Sequence, residues 1–157
     1  MVKIGKKVKN FKLYDYNNKE YNLYDLINDK LIIYIYPKNN TPGCNNQACN
    51  FRDNYKLLKD EGINVIGISK DSNKSHKNFK NKFNLPFMTF SDNNLEIIKY
   101  FNSFGEKKMF GKTYMGVKRE TFVIDKDGTL IIEDRNVKSK TNALDVYEEI
   151  KKYEKNN

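Results

Sequence analysis

Residues 36–53, YPKNNTPGCNNQACNFRD, contain both cysteines of the chain, Cys44 and Cys49. They follow an apolar run rich in β-branched and aromatic residues at 31–36, which is too short for a typical helix and predicts a buried central strand. Pro37 ends this strand, because proline cannot donate to a sheet ladder. The stretch therefore predicts a strand that delivers the Cys44 thiol, through a loop, to the first turn of a helix.

The position of Cys44 at a helix start favours a reactive thiol. A protonated cysteine is a poor nucleophile, and the unpaired N–H groups and partial positive charge of a helix N-terminus favour the thiolate. Gly43 adds no side-chain bulk before the sulfur, so a small ligand can approach the backbone closely. Thr41 offers a hydroxyl that can donate to the thiolate, and it is equally suited to cap the helix.

The spacing of the two cysteines constrains what they can do together. In an intact α-helix, residues five apart have Cα atoms roughly 8.7 Å apart, whereas a disulfide needs less than about 7 Å. If Cys44 and Cys49 pair, the start of the helix must unwind. The spacing is not the Cys-x-x-Cys of dithiol exchange proteins, and two cysteines with His76 fall short of four zinc ligands. Cys49, beside Ala48 and Phe51, also fits an inert buried side chain.

The rest of the sequence predicts an α/β fold with a mixed sheet. The cysteine helix is expected over 44–60, because apolar residues recur at helical spacing and Gly62 stands where a C-cap glycine belongs. Residues 104–117 are interpreted as a loop with a short turn. The other expected elements are a hairpin around 15–19, a short helix at 23–28, strands at 64–69, 87–90, 119–125 and 129–134, and helices at 72–84, 94–101 and from 141.

Several side chains are given structural interpretations. His76 is expected on a helix surface, and Arg52 and Asp53 as surface residues or a local ion pair. The other expectations concern apolar residues: Tyr36 and Phe110 as site walls or core, Met109 and Met115 packed in or near the loop, and Leu144, Tyr147 and Ile150 on one face of the last helix.

Length and composition indicate one globular domain over 1–157, with 38% hydrophobic and 31% charged residues. The net charge of +9 is compatible with a nucleic-acid-binding module, but the lysines do not concentrate in one arm and favour a solvated surface. No stretch approaches the roughly 20 apolar residues of a membrane span, and no signal-peptide core is visible. We therefore expect a cytoplasmic protein that does not bind membranes.

The motif Pro37-x-x-x-Thr41-x-x-Cys44 resembles the active-site signature of the peroxiredoxins. Cys49, five residues further on, resembles the bacterioferritin-comigratory-protein/PrxQ subgroup. The resemblance extends over nearly the whole chain, with matching motifs at 35–37, 47–49, 51–53, 67–69, 85–87, 91–92, 105–107, 111–114 and 119–125.

This resemblance implies a thioredoxin-like fold with an N-terminal hairpin, and a thiol peroxidase that reduces hydrogen peroxide and organic hydroperoxides in antioxidant defence. Cys44 is implied to be the peroxidatic residue, which becomes a sulfenic acid, and Cys49 the resolving residue of an intramolecular disulfide. The remaining site residues are implied to be Thr41 and Arg119, which complete the peroxide site, Pro37, which shields it, and Gly43, whose backbone N–H binds peroxide. Many relatives carry Glu where this chain has Gln47. Because glutamine is uncharged, an ion pair between position 47 and an arginine is in doubt here.

The resemblance implies no metal, flavin or nucleotide, and a thioredoxin-like dithiol as the reductant. We expect a monomer or a weak homodimer. Arg119 also fits a purely structural pairing with a carboxylate. A protein dithiol–disulfide oxidoreductase and a basic nucleic-acid-binding module remain the alternative functions.

Overall fold

A computed structural model describes residues 2–157. The strands are β1 (Lys12–Tyr14), β2 (Glu20–Asn22), β3 (Lys30–Ile35), β4 (Ile63–Ser69), β5 (Met88–Ser91), β6 (Phe104–Met109), β7 (Lys112–Val117), β8 (Glu120–Asp125) and β9 (Leu130–Asp134). The α-helices are α1 (Pro42–Asp53), α2 (Tyr55–Asp60), α3 (Asn73–Phe83), α4 (Glu96–Tyr100) and α5 (Asn142–Asn156), and Leu23–Leu26 form a 3-10 helix.

The central sheet has the strand order β5-β4-β3-β8-β9. β3 is parallel to β4 and antiparallel to β8, so the sheet is mixed as expected. All six residues of β3 are buried, because both faces of this strand are covered. The predicted central strand and the N-terminal hairpin β1–β2 are both confirmed.

The two faces of the sheet pack against different elements. Leu31, Ile33 and Ile35 face a core built from the N-terminal segment and α4. Ile32 and Tyr34 face a second core, to which α1, α2, α3 and α5 contribute. Alternation along one buried strand thus gives the sheet two apolar layers. Within residues 2–157, no helix combines the length and apolar character that crossing a membrane requires.

The expected single helix over 44–60 is wrong, because it is interrupted at Asn54. The Asn54 side chain donates to the carbonyl oxygen of Asn50 at 2.8 Å, a local bond that competes with helix continuation. Gly62 follows α2 with a positive φ of 74° and donates its N–H to the carbonyl of Lys59, as expected of a C-cap glycine.

The expected loop over 104–117 is also wrong, because this segment is the antiparallel hairpin β6–β7. Its two-residue turn is Phe110-Gly111, and both residues have positive φ (53° and 76°), as a type I′ turn requires. Phe110 is 96% exposed and is therefore neither core nor site wall. Met109 and Met115 lie on the hairpin with 54% and 59% exposure, rather than packing inward.

Two further expectations are corrected in the helices. His76 is 1% exposed, so it is a core residue of α3 rather than a surface one. The buried face of α5 includes Ala143, Val146 and Ile150, whereas Leu144 is 42% exposed. Ile150 is buried and Tyr147 packs against the core as expected, so the expectation fails only for Leu144.

Candidate active site

The loop 36–41 carries the chain from the end of β3 to the start of α1. Thr41 is the N-cap and Pro42 the first helical residue, a position that proline favours because its missing N–H needs no partner there. The first intrahelical bond runs from the N–H of Asn45 to the carbonyl of Thr41 (2.8 Å). The N–H groups of Gly43 and Cys44 therefore have no intrahelical partner and can bind an incoming oxygen.

Both cysteines are free thiols within α1, Cys44 buried and Cys49 partly exposed. Because α1 is continuous across both residues, their Cα atoms lie roughly 8.7 Å apart and cannot be bridged in this state. The structure is thus that of the reduced protein. Within residues 2–157, no group of three or more His, Cys, Asp and Glu side chains is placed to hold a metal ion.

Arg119 lies close to the thiol because it directly precedes Glu120, which pairs with Ile35 at the end of the neighbouring strand β3. Its Nη2 donates to Cys44 Sγ at 3.4 Å, and its Nη1 donates to Gln47 Oε1 at 2.6 Å. The buried Gln47 in turn donates to Asn142 Oδ1 at 2.8 Å, and Thr121 Oγ1 donates to the same oxygen at 3.0 Å. A neutral hydrogen-bond chain from α1, α5 and β8 therefore orients the guanidinium. No pattern in the sequence indicated that Asn142 belongs to this site, because it lies 95 positions from Gln47.

Gly43 makes room for this guanidinium. A Cβ atom at position 43 would lie 2.8 Å from Arg119 Nη2, closer than side-chain atoms normally pack. The backbone of Gly43 does not have the positive φ that favours glycine. The glycine is therefore required by the approach of Arg119 rather than by backbone conformation.

Thr41 and Pro37 lie in the loop that leads to the thiol. Thr41 Oγ1 donates to the carbonyl oxygen of Lys38 at 2.9 Å and makes no side-chain capping bond. The hydroxyl proton of Thr41 is therefore used in a hydrogen bond within the loop. The lone pairs of the same oxygen can still accept a hydrogen bond from a bound ligand. Pro37 is partly buried at the start of the loop. Arg52 and Asp53, at the far end of α1, form the expected ion pair at 2.9 Å.

Asn39 anchors the loop to the neighbouring elements. Its backbone N–H donates to Asp71 Oδ2 at 2.9 Å, and its side-chain Nδ2 donates to Ser75 Oγ at 3.1 Å. The buried Tyr36 hydroxyl donates to Asn39 Oδ1 at 2.6 Å. Three bonds to one buried residue therefore fix the loop immediately before the thiol helix.

His76 packs against Tyr36 and Asn39, with its Nδ1 3.4 Å from polar atoms of both side chains. Ser69 Oγ donates to Asp71 Oδ2 at 2.7 Å, so it accepts from His76 Nε2 at 3.1 Å. His76 Nδ1 is then the acceptor of the Thr89 hydroxyl at 2.8 Å. Burial lowers the pKa of His76 to about 4, although the Asp71 carboxylate opposes this. The imidazole is therefore neutral near pH ~7 and stabilises the loop through hydrogen bonds rather than charge.

A second cation lies near the thiol. Partial burial lowers the pKa of Lys107 on β6, the Arg119 guanidinium lowers it further, and the Cys44 sulfur opposes this. The Lys107 ammonium donates to the carbonyl oxygen of Val117 at 2.8 Å. The base of the β6–β7 hairpin therefore adjoins the site, which sequence reasoning missed because it interpreted this segment as a loop.

Comparisons with known proteins agree with this geometry. The AhpC/TSA family model matches residues 4–132. Peroxiredoxin Bcp of Bacillus subtilis (strain 168) is 38% identical over 150 residues, covering 96% of each chain. Peroxiredoxin Bcp of Escherichia coli (strain K12) is 40% identical over 129 residues, covering 82% of this chain and 83% of the relative.

Solved structures confirm the thioredoxin-like fold. A cysteine-to-serine mutant of Xylella fastidiosa PrxQ has a TM-score of 0.89 at 29% identity, and the match covers 98% of both chains. The bacterioferritin comigratory protein of Xanthomonas campestris, studied for alkyl peroxide reduction as trapped intermediate and ligand complexes, has a TM-score of 0.86 at 28% identity, with 97% of both chains covered. The chain therefore belongs to the AhpC/TSA family, as a peroxiredoxin similar to the Bcp and PrxQ proteins.

Proposed function

We propose that this thiol peroxidase reduces hydrogen peroxide and organic hydroperoxides through Cys44 as peroxidatic residue and Cys49 as resolving residue. The observation that carries the proposal is the buried Cys44 sulfur, 3.4 Å from Arg119 Nη2 in the first turn of a helix. The guanidinium and the free N–H groups of the helix N-terminus can both donate hydrogen bonds to a sulfur at this position. Alkyl peroxide reduction by the Xanthomonas campestris relative supports the inclusion of organic hydroperoxides.

In the first step, the Cys44 thiolate attacks one oxygen of ROOH in line with the O–O bond. The sulfur is oxidised to a sulfenic acid by two electrons, the O–O bond breaks, and the leaving oxygen takes a proton to give ROH. Arg119 is always charged, and it stabilises the negative charge that develops on the leaving oxygen. The free N–H groups of Gly43 and Cys44 and the lone pairs of Thr41 position the peroxide, while Pro37 shields the site.

In the second step, Cys49 attacks the sulfenic sulfur of Cys44, an S–S bond forms, and water leaves. Because both residues lie on the continuous helix α1, its first turns must unwind before this bond can form. In the third step, a thioredoxin-like dithiol returns two electrons and two protons by exchange.

Both cysteines lie on one helix, so the proposed disulfide needs no second chain, and we propose a monomer or a weak homodimer as the working form. The proposed location is the cytoplasm, where thioredoxin-like reductants keep thiols reduced.

The test is a peroxide-consumption assay with the two serine variants. Cys44→Ser is expected to abolish turnover. Cys49→Ser is expected to complete one turnover and then stall unless a small thiol is added. Equal loss from both variants in the first turnover would contradict the assigned order. Disulfide exchange without peroxide turnover would favour a protein dithiol–disulfide oxidoreductase instead. Salt-sensitive DNA retardation that persists in Cys44→Ser would favour a nucleic-acid-binding module.

A further inference from the structure

The hairpin β6–β7 forms a sheet of its own, and its two faces differ in composition. Lys107 pairs with Tyr114 and Met109 pairs with Lys112, so these four side chains share one face, which we call the Lys107 face. Glu106, Lys108, Thr113 and Met115 share the opposite face. The Lys107 face therefore carries two cations and no acidic side chain.

The same face also exposes large apolar side chains. Met109 is 54% exposed and Tyr114 41%, and Phe110 stands at the turn with 96% exposure. Exposed aromatic and methionine side chains that group together are typical of protein–protein interfaces, and the neighbouring lysines add a charge that can steer an acidic partner. The Lys107 face together with Phe110 thus has the composition of a docking surface.

The hairpin base connects this surface to the thiol site. The Lys107 ammonium donates to the carbonyl oxygen of Val117 at 2.8 Å, and Arg119, which follows shortly after on the chain, donates its Nη2 to Cys44 Sγ at 3.4 Å. The six residues of β7 span roughly 20 Å, which is within the width of one small domain. A protein seated on the Lys107 face can therefore also reach the sulfur of Cys44.

The positive charge of the Lys107 face determines which kind of partner can bind to it. In a two-fold dimer the same patch meets itself, so the lysines of two Lys107 faces would repel. The net charge of +9 adds to this repulsion between copies of the chain. An acidic partner is attracted by the same charges.

We infer that the Lys107 face, with Phe110, is the docking surface for an acidic thioredoxin-like protein that reduces the Cys44–Cys49 disulfide. This inference rests on the proposed function. A partner thiolate attacks one sulfur of the disulfide and forms a mixed disulfide with release of the other thiol. The second partner thiol then attacks the partner sulfur of this mixed disulfide, so the partner is oxidised by two electrons and both cysteines of the chain are reduced.

The experiment compares two charge reversals on the same hairpin. Lys112→Glu changes the Lys107 face, and Lys108→Glu makes the same change on the opposite face; both lysines are exposed. Steady-state peroxide turnover is measured with a bacterial thioredoxin of net negative charge, kept reduced by its reductase and NADPH. Lys112→Glu is expected to raise the KM for thioredoxin about tenfold, and Lys108→Glu less than about twofold. Phe110→Ser is expected to raise this KM with little dependence on salt.

Dithiothreitol serves as a second reductant that needs no docking surface. Turnover with dithiothreitol is expected to be unchanged in all three variants, because neither lysine nor Phe110 takes part in the peroxide chemistry. Equal effects of Lys112→Glu and Lys108→Glu, or no change in KM for thioredoxin, would overturn the inference. Wild-type turnover with dithiothreitol but not with thioredoxin would overturn it as well. Absence of peroxide turnover with either reductant would instead refute the proposed function.

Discussion

Replacing Asn46 with alanine is expected to slow disulfide formation about threefold without changing the rate of Cys44 oxidation. Asn46 lies between the two cysteines on α1, with its side chain exposed to solvent. Alanine is a better helix former than asparagine by about 0.6 kcal/mol. Because this segment is helical before the two sulfurs meet and unwound afterwards, the gain opposes unwinding, and about 0.6 kcal/mol corresponds to roughly threefold in rate.

The two steps can be separated by rapid mixing with peroxide, quenching with a thiol-alkylating reagent, and intact-mass analysis. The chain has no tryptophan, so a mass readout is better suited than tryptophan fluorescence. The oxidised-sulfur species should persist longer in Asn46→Ala than in the wild-type protein. Asn81→Ala is the matched control, because Asn81 is an exposed residue of α3, outside the unwinding segment. An unchanged resolution rate in Asn46→Ala, or equal slowing in Asn81→Ala, would refute the requirement for unwinding.

Three further predictions concern Arg119 beside the thiol and the buried His76. Gly43→Ala should slow Cys44 oxidation about tenfold or more, because its methyl group would displace the Arg119 guanidinium, which lies 2.8 Å from that position. Circular dichroism should show that this variant is folded, and a wild-type oxidation rate would contradict the role of Arg119. Gln47→Leu should lower the oxidation rate by about tenfold, because Arg119 loses the bond that orients it; single-turnover kinetics would test this, and a change in the resolution step alone would count against it. The stability of the fold should fall by about 2 kcal/mol between pH ~8 and pH ~5, because His76 has a pKa of about 4 when folded against 6.5 when unfolded, so the unfolded chain binds the extra proton. Denaturant titrations of His76→Gln should show a smaller loss over the same range, and an equal loss would assign the pH dependence to other groups.

The strand and the thiol loop could be predicted because their signals are local. Six contiguous apolar and aromatic residues leave no polar face, so β3 had to be buried on both sides. The helix was expected to begin at Cys44, whereas α1 begins two residues earlier at Pro42, a position that proline favours in a first helical turn. Arg119, in contrast, is separated from Cys44 by 75 positions, and only the family resemblance indicated that they would meet.

The hairpin β6–β7 could not be predicted because its stability does not depend on burying one face. Most of its side chains are exposed, so it lacks the apolar–polar alternation that identifies a half-buried strand. Its turn is made by Phe110 and Gly111, and phenylalanine is not a residue that normally indicates positive φ. The ladder formed with the neighbouring strand, which is a non-local feature, fixes this conformation.

His76 was missed because its hydrogen-bond partners lie on two strands, β4 and β5, outside its own helix. Ser69 and Thr89 supply the hydrogen bonds that make burial of an imidazole favourable. The available signal was weak: His76 precedes the buried Phe79 by three residues and so shares its helix face. A polar residue on an apolar helix face can be satisfied in a core when neighbouring strands provide partners.

The central claim is that peroxide drives formation of one bond between the sulfurs of Cys44 and Cys49. Trypsin cleaves after Lys38 and Arg52, so both cysteines fall on the single peptide 39–52. After one equivalent of hydrogen peroxide, we expect this peptide to lose two hydrogen atoms and to resist alkylation until it is reduced. Recovery of the peptide with both thiols alkylated after the peroxide is consumed, or with the disulfide formed only between two chains, would contradict the account.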